Sequence, residues 1–415
     1  MKFKKTLILI FSMLFILTNF SYSYANVSNI SSNAAILIEN STNEIVFEKN
    51  SNQKLEPASV TKILTAILTI ENTNLNDIVT VNSKAVSSIP DGYSIADLKP
   101  DEKISIDSLL KLLLVHSAND AANVLAFHID GSIEAFANRM NEKCKKLNMT
   151  NTNFTNPSGM HDENHYSTAY DIAILMQYCS KNSSFKKYSN LKSCKIPATN
   201  KSEERFFNNT NKMILDNNQS QYYYPYIISS KTGFTSQAKH CLASVANNNN
   251  LSYTCVILSA PTSDIRFNDT KYLFEYGFSN FGYKTIAKKG SVLSTIDIKN
   301  GTDETKKLNL ILDKDINVFT NIHSNENNFL PQITIQNIPL APIAKNKVLG
   351  SASYNINEKT YTANLLAESD VQVKTSTSFF IQLLLLILVI IVLFAVFFWN
   401  TKNKNKNEKE NENEN

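Results

Sequence analysis

The alternation of apolar and polar positions changes period several times along the chain. Between Ala34 and Lys49 the runs AAILIE and EIVFEK flank the polar turn Asn40-Ser41-Thr42-Asn43, which predicts a hairpin of two short strands. The period then lengthens. In EPASVTKILTAILTI, Ile63, Leu64, Ile67 and Leu68 cover most of a helical circumference, so a helix beginning near Ser59 belongs in the middle of a domain. SIDSLLKLLLVHSANDAANVLAFHI predicts a helix pair with a short break near Ser117, and IEAFANRMNEKCKKL predicts an amphipathic helix. From Tyr226 the runs YIISSKTG, CLASVA and LSYTCVILSA, separated by Gly-rich or Asn-rich turns, predict strands, and KYLFEYGFSNF a closing helix. Strands first, helices in the middle and antiparallel strands last imply an α+β domain, a sheet with helices packed against it. From Gly282 the alternating segments VLSTIDI, KLNLILDK, QITIQNI, VLGSASYNI and TYTANLL predict a small all-β domain.

Two stretches are too apolar for either domain. MKFKKTLILIFSMLFILTNFSYSYAN carries Lys2, Lys4 and Lys5, an apolar core from Leu7 to Leu17 and the small-x-small site Ser23-Tyr24-Ala25, the layout of a signal peptide. Phe379 to Trp399 contains no charge and matches the ~20 residues that a bilayer core requires. Lys402, Lys404 and Lys406 follow it while only Lys374 lies near its other end, so the tail faces the cytoplasm and the bulk of the chain is outside. The expected organisation is a signal peptide over 1–25, a catalytic domain over 26–281, a β-rich domain over 282–372, a transmembrane helix over 379–399 and a disordered polar tail over 400–415.

The 415 residues suffice for two domains with their own cores, and a net charge of +4 with lysines and glutamates interspersed excludes the footprint of a nucleic-acid binder. Five cysteines cannot form a complete disulfide framework. Cys241 and Cys255 lie about equally far from the polar run Asn247 to Asn250, so they either face each other across a hairpin or are two buried thiols.

Ser59 and Lys62 stand three apart at the entry to the apolar helix. Ser-x-x-Lys alone says little, since Ser51/Lys54, Ser108/Lys111 and Ser236/Lys239 also match, but only Ser59 follows Pro57-Ala58 and opens a strongly apolar helix. Three apart on a helix means one shared face, so the amine can reach the hydroxyl. Burial among Ile63, Leu64 and Ile67 would lower the amine pKa and make it a proton acceptor. Ser117-Ala118-Asn119 sits at the helix break, where a hydroxyl and an amide can project together. Lys231-Thr232-Gly233, the only Lys-Ser/Thr-Gly triplet, ends a β-rich run and offers a cation and a hydroxyl to a carboxylate. His161-Asp-Glu-Asn-His165 lacks the glutamate that a metalloprotease helix places directly after its first histidine, so no metal or other cofactor is assigned.

The three elements in this order resemble the motif set of penicillin-binding proteins and serine β-lactamases. EPASVTKILTA, LLLVHSANDAANVLA, TNFTNPSGMHDENHYSTAYDIA and SKTGFTSQAKHCLASVA are similar to the low-molecular-mass D-alanyl-D-alanine carboxypeptidases, from about Ala34 to Phe281, and GSASYNINEKTYTANLLAESDV resembles that family's C-terminal domain. The resemblance implies a β-lactamase/transpeptidase-like fold. It also implies Ser59 as nucleophile, Lys62 as general base, and Ser117 and Asn119 relaying protons and holding substrate. Lys231 would tune the site, Thr232 would bind a terminal carboxylate, and Arg266 would assist it. Beside Gly233, the backbone N–H groups of Ser59 and Phe234 would form the oxyanion hole. The implied reaction removes the terminal D-alanine of a peptidoglycan stem peptide, with β-lactam antibiotics as inhibitors and the cytoplasmic membrane as anchor. A β-lactamase of the common class would need Glu-x-x-Leu-Asn between Asn119 and Lys231, and that run does not occur. An inactive relative that only binds cell-wall peptide is the other alternative, and no motif side chain is missing to favour it.

Overall fold

The computed structural model describes residues 30–411 except 88, 217, 324–328, 336–338, 357–358 and 375–376, with backbone alone at 377–378 and 404–411. The expected signal peptide, 1–25, lies outside the described residues. The chain divides into two compact units, Met1–Phe281 and Gly282–Asn415.

The first unit is built on a five-stranded sheet of β1 (Ala34–Glu39), β2 (Ile45–Lys49), β3 (Ile227–Thr235), β4 (Lys239–Asn248) and β5 (Leu251–Ala260), in the order β2-β1-β5-β4-β3. The N-terminal hairpin therefore closes against the last strand, with Ala34 opposite Leu258 and Glu39 opposite Tyr253. Every residue of β1 is buried, because the sheet is covered on both faces. On one face Ile36, Val256 and Leu258 join a core with Ile63, Leu64 and Leu113. On the other lies helix Ser263–Asn280, whose Gly277 comes so close that a Cβ there would stand 2.9 Å from Leu37 Cδ2.

The expected helices form, with local differences that bear on chemistry. The chain enters the central helix, α1 (Lys62–Asn72), through a 3₁₀ turn at Ala58–Thr61. The helix pair consists of α2 (Ile106–Lys111), prolonged by a π turn over Leu112–His116, and α3 (Asn119–Asp130); Ser117 between them is left-handed at φ 65°. The amphipathic segment forms α4 (Ile133–Lys146), capped by Ser132. A further helix, α5 (Ala169–Cys179), was not expected: its apolar residues cluster on no single face, and its clearest signal is the Thr168 cap, which accepts from Asp171 N–H at 3.0 Å. The helix Ser263–Asn280, α6, begins well before the expected KYLFEYGFSNF.

The β4–β5 turn rules out the cross-strand cysteine pair. Its tight loop, Asn249-Asn250, sets Asn248 opposite Leu251 and Cys255 opposite Ser244, while Cys241 falls at a bulge between His240 and Leu242. All five cysteines are free and buried.

The second unit carries a five-stranded antiparallel sheet of β6 (Val292–Asp297), β7 (Lys307–Leu312), β8 (Gln332–Ile335), β9 (Val348–Ile356) and β10 (Lys359–Ala367), in the order β6-β7-β10-β9-β8. Alternate residues Leu308, Leu310 and Leu312 point into its core with Ala363, Leu365 and Ala367. The last described element is helix α7 (Thr377–Asn411). It reaches into the polar tail as far as Asn411, where the sequence alone predicts no structure, since extending an existing helix avoids the unfavourable nucleation step. Within α7, the apolar stretch Phe379–Asn403 is 25 residues long, enough to cross a bilayer.

Candidate functional site

The 3₁₀ entry aligns the first pair of groups. With three residues per turn, positions i and i+3 eclipse, so Ser59 and Lys62 stand one above the other. Lys62 Nζ donates to Ser59 Oγ at 2.8 Å. It also donates to Asn119 Oδ1 at 2.7 Å and to the Ser158 carbonyl at 2.7 Å, which uses all the protons of an ammonium and leaves a neutral amine one lone pair to aim. Lys62 is fully buried. Burial, then repulsion from Lys231, pushes its pKa well below the ordinary 10.5, and Asp120 offsets part of this.

The helix break supplies the second pair. Ser117 can turn its hydroxyl toward the strand edge because its backbone is left-handed, and it accepts from Lys231 Nζ at 2.9 Å. Asn119 is held by Ser94, whose carbonyl accepts from both Asn119 N–H, at 2.8 Å, and Asn119 Nδ2, at 3.0 Å. The Ser94 loop is in turn fixed by the buried Asp120 carboxylate, which accepts from Ala96 N–H at 2.9 Å and Leu98 N–H at 3.0 Å.

Strand β3 brings the third element against the first. A Cβ on Gly233 would stand 2.8 Å from the Pro57 carbonyl oxygen and 3.1 Å from Ser59 N, so only glycine lets the strand backbone lie beside the serine turn. Lys231 is buried and its second partner is the Thr232 carbonyl at 2.8 Å. Burial, reinforced by Arg266, lowers its pKa to about 7. Thr232 shares a 2.6 Å hydrogen bond with Thr210. The Phe234 side chain is exposed and stacks on His240, with ring centroids 4.5 Å apart. Arg266 reaches the strand from α6, donating from Nη1 to the Gly233 carbonyl at 3.1 Å. Its guanidinium lies over Phe267, and burial lowers its pKa to about 10.

The structure thus gathers Ser59, Lys62, Ser117, Asn119, Lys231 and Gly233 around one hydroxyl, with Thr232 and Arg266 on the adjoining strand and helix. Chemically, a hydroxyl beside a buried amine that resists protonation can be deprotonated and attack a carbonyl carbon, and backbone N–H groups nearby can receive the oxyanion. Sequence reasoning missed the supports: the Ser94 and Ser158 carbonyls, Asp120 and Thr210. The turn Asn156-Pro157-Ser158-Gly159 carried the one available signal. Asn156 Oδ1 accepts from the N–H groups of Ser158, Gly159 and Met160, and Gly159 has φ +79° pressed on Ala58. The two histidines of the metalloprotease-like stretch are engaged separately. His165 is buried and bonded to Thr61 Oγ1 at 2.9 Å, whereas His161 pairs with Glu56 at 2.8 Å.

Comparison with known proteins adds the lineage. Residues 21–262 match a family described as D-alanyl-D-alanine carboxypeptidase, peptidase S11, and residues 281–373 match the penicillin-binding protein 5 C-terminal domain. The chain is 31% identical over 348 residues to the D-alanyl-D-alanine carboxypeptidase DacF of Bacillus subtilis, spanning 82% of this chain and 84% of the relative. It is 28% identical over 352 residues to DacC of Escherichia coli, spanning 80% and 82%. Penicillin-binding protein 5 of Haemophilus influenzae, a solved structure, superposes with a TM-score of 0.61 at 26% identity over 83% of this chain and 98% of that one.

Proposed function

Because the chain belongs to the peptidase S11 family of D-alanyl-D-alanine carboxypeptidases, with that family's C-terminal domain, we propose that it removes the terminal D-alanine from peptidoglycan stem pentapeptides through an acyl-enzyme on Ser59. Ser59 Oγ attacks the carbonyl carbon of the penultimate D-alanine while its proton passes to Lys62 Nζ. The backbone N–H groups of Ser59 and Phe234 receive the oxyanion, a role supported by the close approach of Gly233 to the serine turn. Collapse of the intermediate breaks the C–N bond, and the leaving amine takes a proton from Lys62 by way of Ser117. A water then attacks the ester, giving its proton back through Lys62, and Ser59 is regenerated. Thr232 and the Lys231 ammonium receive the substrate carboxylate, and Asn119 holds the peptide backbone. Arg266 supports this indirectly, since its Nη1 is spent on Gly233.

The observation that carries the reading is Lys62: a fully buried amine 2.8 Å from the Ser59 hydroxyl, its pKa lowered by that burial. β-Lactams mimic the dipeptide and acylate the same serine. The N-terminal segment exports the protein and α7 anchors it to the outer face of the cytoplasmic membrane, a topology supported by Lys402, Lys404 and Lys406 beyond the apolar run. Two measurements test the proposal together: labelling by fluorescent penicillin, and mass spectrometry of a purified pentapeptide after incubation. The expected result is one label per chain and loss of one D-alanine, both abolished in Ser59→Ala with the fold retained. Labelling that persists in that variant refutes the nucleophile; absence of both activities in the wild type leaves only peptide binding.

A further inference from the structure

The β domain is tied to the apolar helix by a very short link. Lys374 N–H donates to the Asn300 carbonyl at 2.8 Å, which fixes residue 374 to the body of the domain, and the apolar stretch begins at Phe379. Five residues reach at most about 18 Å when fully extended. The headgroup layer on one side of a bilayer takes up roughly 5–8 Å of that reach.

Three segments meet at the tethered end of this domain. Lys299 bridges to Leu340, Ile343 to Val371, and Gly301 to Val373. This end exposes apolar side chains, Leu340 at 58% and Val373 at 44%, and in this it is not alone in the domain, since Val292, Ile322 and Leu330 are exposed too. Val373 lines an open groove of about 630 Å³ together with Ile343 and Val371, with Lys347 and Asp370 beside them, and Leu340 stands two residues before Pro342 at its edge. The charges nearby are mixed but unequal in their freedom. Asp303 is paired with both Lys306 and Lys374, and Asp370 accepts from Lys345 N–H at 2.7 Å, while the Lys345 and Lys347 side chains are exposed.

Resting on the reading of α7 as a membrane anchor, we propose that this end of the β domain is a second membrane contact. Leu340 and Val373 enter the boundary between headgroups and acyl chains, and Lys345 and Lys347 lie among anionic headgroups. The occupant follows from the tether, which holds the bilayer permanently within this distance of residue 374. A span alone would leave the domain free to tumble on its link, whereas the two contacts together give it a fixed tilt.

The full chain in lipid nanodiscs tests this, because its single tryptophan, Trp399, lies in the apolar helix and reports the anchor by itself. Wild-type protein should show Trp399 quenched by nitroxide-labelled lipids. In a Trp399→Phe background, Leu340→Trp should emit blue-shifted and be quenched by lipid carrying the nitroxide high on the acyl chain. Thr360→Trp is the control, some seven residues and about 23 Å along β10 from Ala367, which pairs through its backbone with Asn346 and Lys347. It should emit as in water and stay unquenched. Quenching at position 340 should also rise when phosphatidylglycerol replaces phosphatidylcholine, and Lys345→Gln with Lys347→Gln should remove that rise. Equal quenching at 340 and 360, with Trp399 still quenched, overturns the docking face while leaving the anchor. Equal quenching at 340 in the two lipids overturns the headgroup pairing. An unquenched Trp399 overturns the anchor and the inference with it.

Discussion

Replacing Gly233 by alanine tests whether the strand and the serine turn are matched to a fraction of an ångström. The new Cβ would sit 2.8 Å from the Pro57 carbonyl oxygen and 3.1 Å from both Ser59 N and Val60 N, so relief to an ordinary contact near 3.4 Å needs a retreat of about 0.6 Å. All three neighbours are backbone, and neither side yields freely. Lys62 ties the turn to Asn119 and Ser158, while Arg266 holds the Gly233 carbonyl at 3.1 Å. Overpacking of this kind costs about 1–3 kcal/mol, which lowers Tm by roughly 2–4 °C per kcal/mol in a domain of this size. A displacement of ~1 Å at a reacting centre can cost ~100-fold, so a retreat of half that should slow acylation by about 10-fold or more. The assay is the second-order rate of labelling by fluorescent penicillin, read beside thermal unfolding. Gly131→Ala is the control: Gly131 has φ +76° and open space around it, so its Cβ strains the backbone without touching the site. That variant should lose stability and keep its acylation rate. Acylation of Gly233→Ala at the wild-type rate would refute the account of the strand edge.

Other groups give separate checks. His165 accepts from Thr155 N–H on Nδ1 and therefore donates from Nε2 to Thr61, a neutral ring that burial holds down to about 4. Its contribution to stability is complete above its ordinary 6.5 and lost as pH falls toward 4. His165→Gln should remove about 3 kcal/mol of pH dependence in that window, measured by urea unfolding against wild type, and an unchanged pH profile would show that the ring already protonates in the fold. The buried thiols should ignore Ellman's reagent in native buffer and all react after unfolding without reductant; a native disulfide would leave fewer than the five counted in the sequence.

The parts of this architecture that could be read from sequence are those where residue type reports burial directly. The N-terminal hairpin, α1 and the three late strands bury apolar side chains at fixed periods, and Gly233 shows a close approach because no other residue fits. The lysine at 62 stood out because a cation among Ile63, Leu64 and Ile67 demands a reason. What escaped notice acts through the backbone. The Ser158 and Ser94 carbonyls carry no residue signature, since any amino acid has one, and the π turn at Leu112–His116 that delivers Ser117 differs from an α-helix by a hydrogen-bond shift and not by composition. Arg266 was legible as a cation in the right region but not in its use, because only the fold shows Nη1 committed to the Gly233 carbonyl. Of the two readings open for Cys241 and Cys255, register decides for buried thiols: the two-residue loop Asn249-Asn250 places Ser244, not Cys241, across from Cys255.

The electrostatics of the site carry one further consequence for substrate binding. Lys62, Lys231 and Arg266 are all buried basic groups, and the buried Asp120 carboxylate, which acts on Lys62, is already occupied by backbone N–H groups. With no anion bound, the site relieves this excess by giving up protons: burial, with Arg266 adding to it, brings Lys231 to about 7. A ligand carboxylate beside Lys231 favours the charged amine and raises its pKa, by roughly 2 units for a close buried partner. At pH 8 the free amine is then about one-tenth protonated and the liganded amine about nine-tenths, so binding should take up most of one proton from solution. Below about pH 6 the free amine is already charged and the uptake should vanish. Titration calorimetry of Ser59→Ala with an acyl-D-alanyl-D-alanine peptide, repeated in buffers of different ionisation enthalpy, measures the proton count without turnover. Lys231→Met should bind more weakly and take up none. Binding to Ser59→Ala without proton uptake at pH 8 would refute this coupling: either Lys231 is already charged before the ligand arrives, or the carboxylate is received by a group other than Lys231.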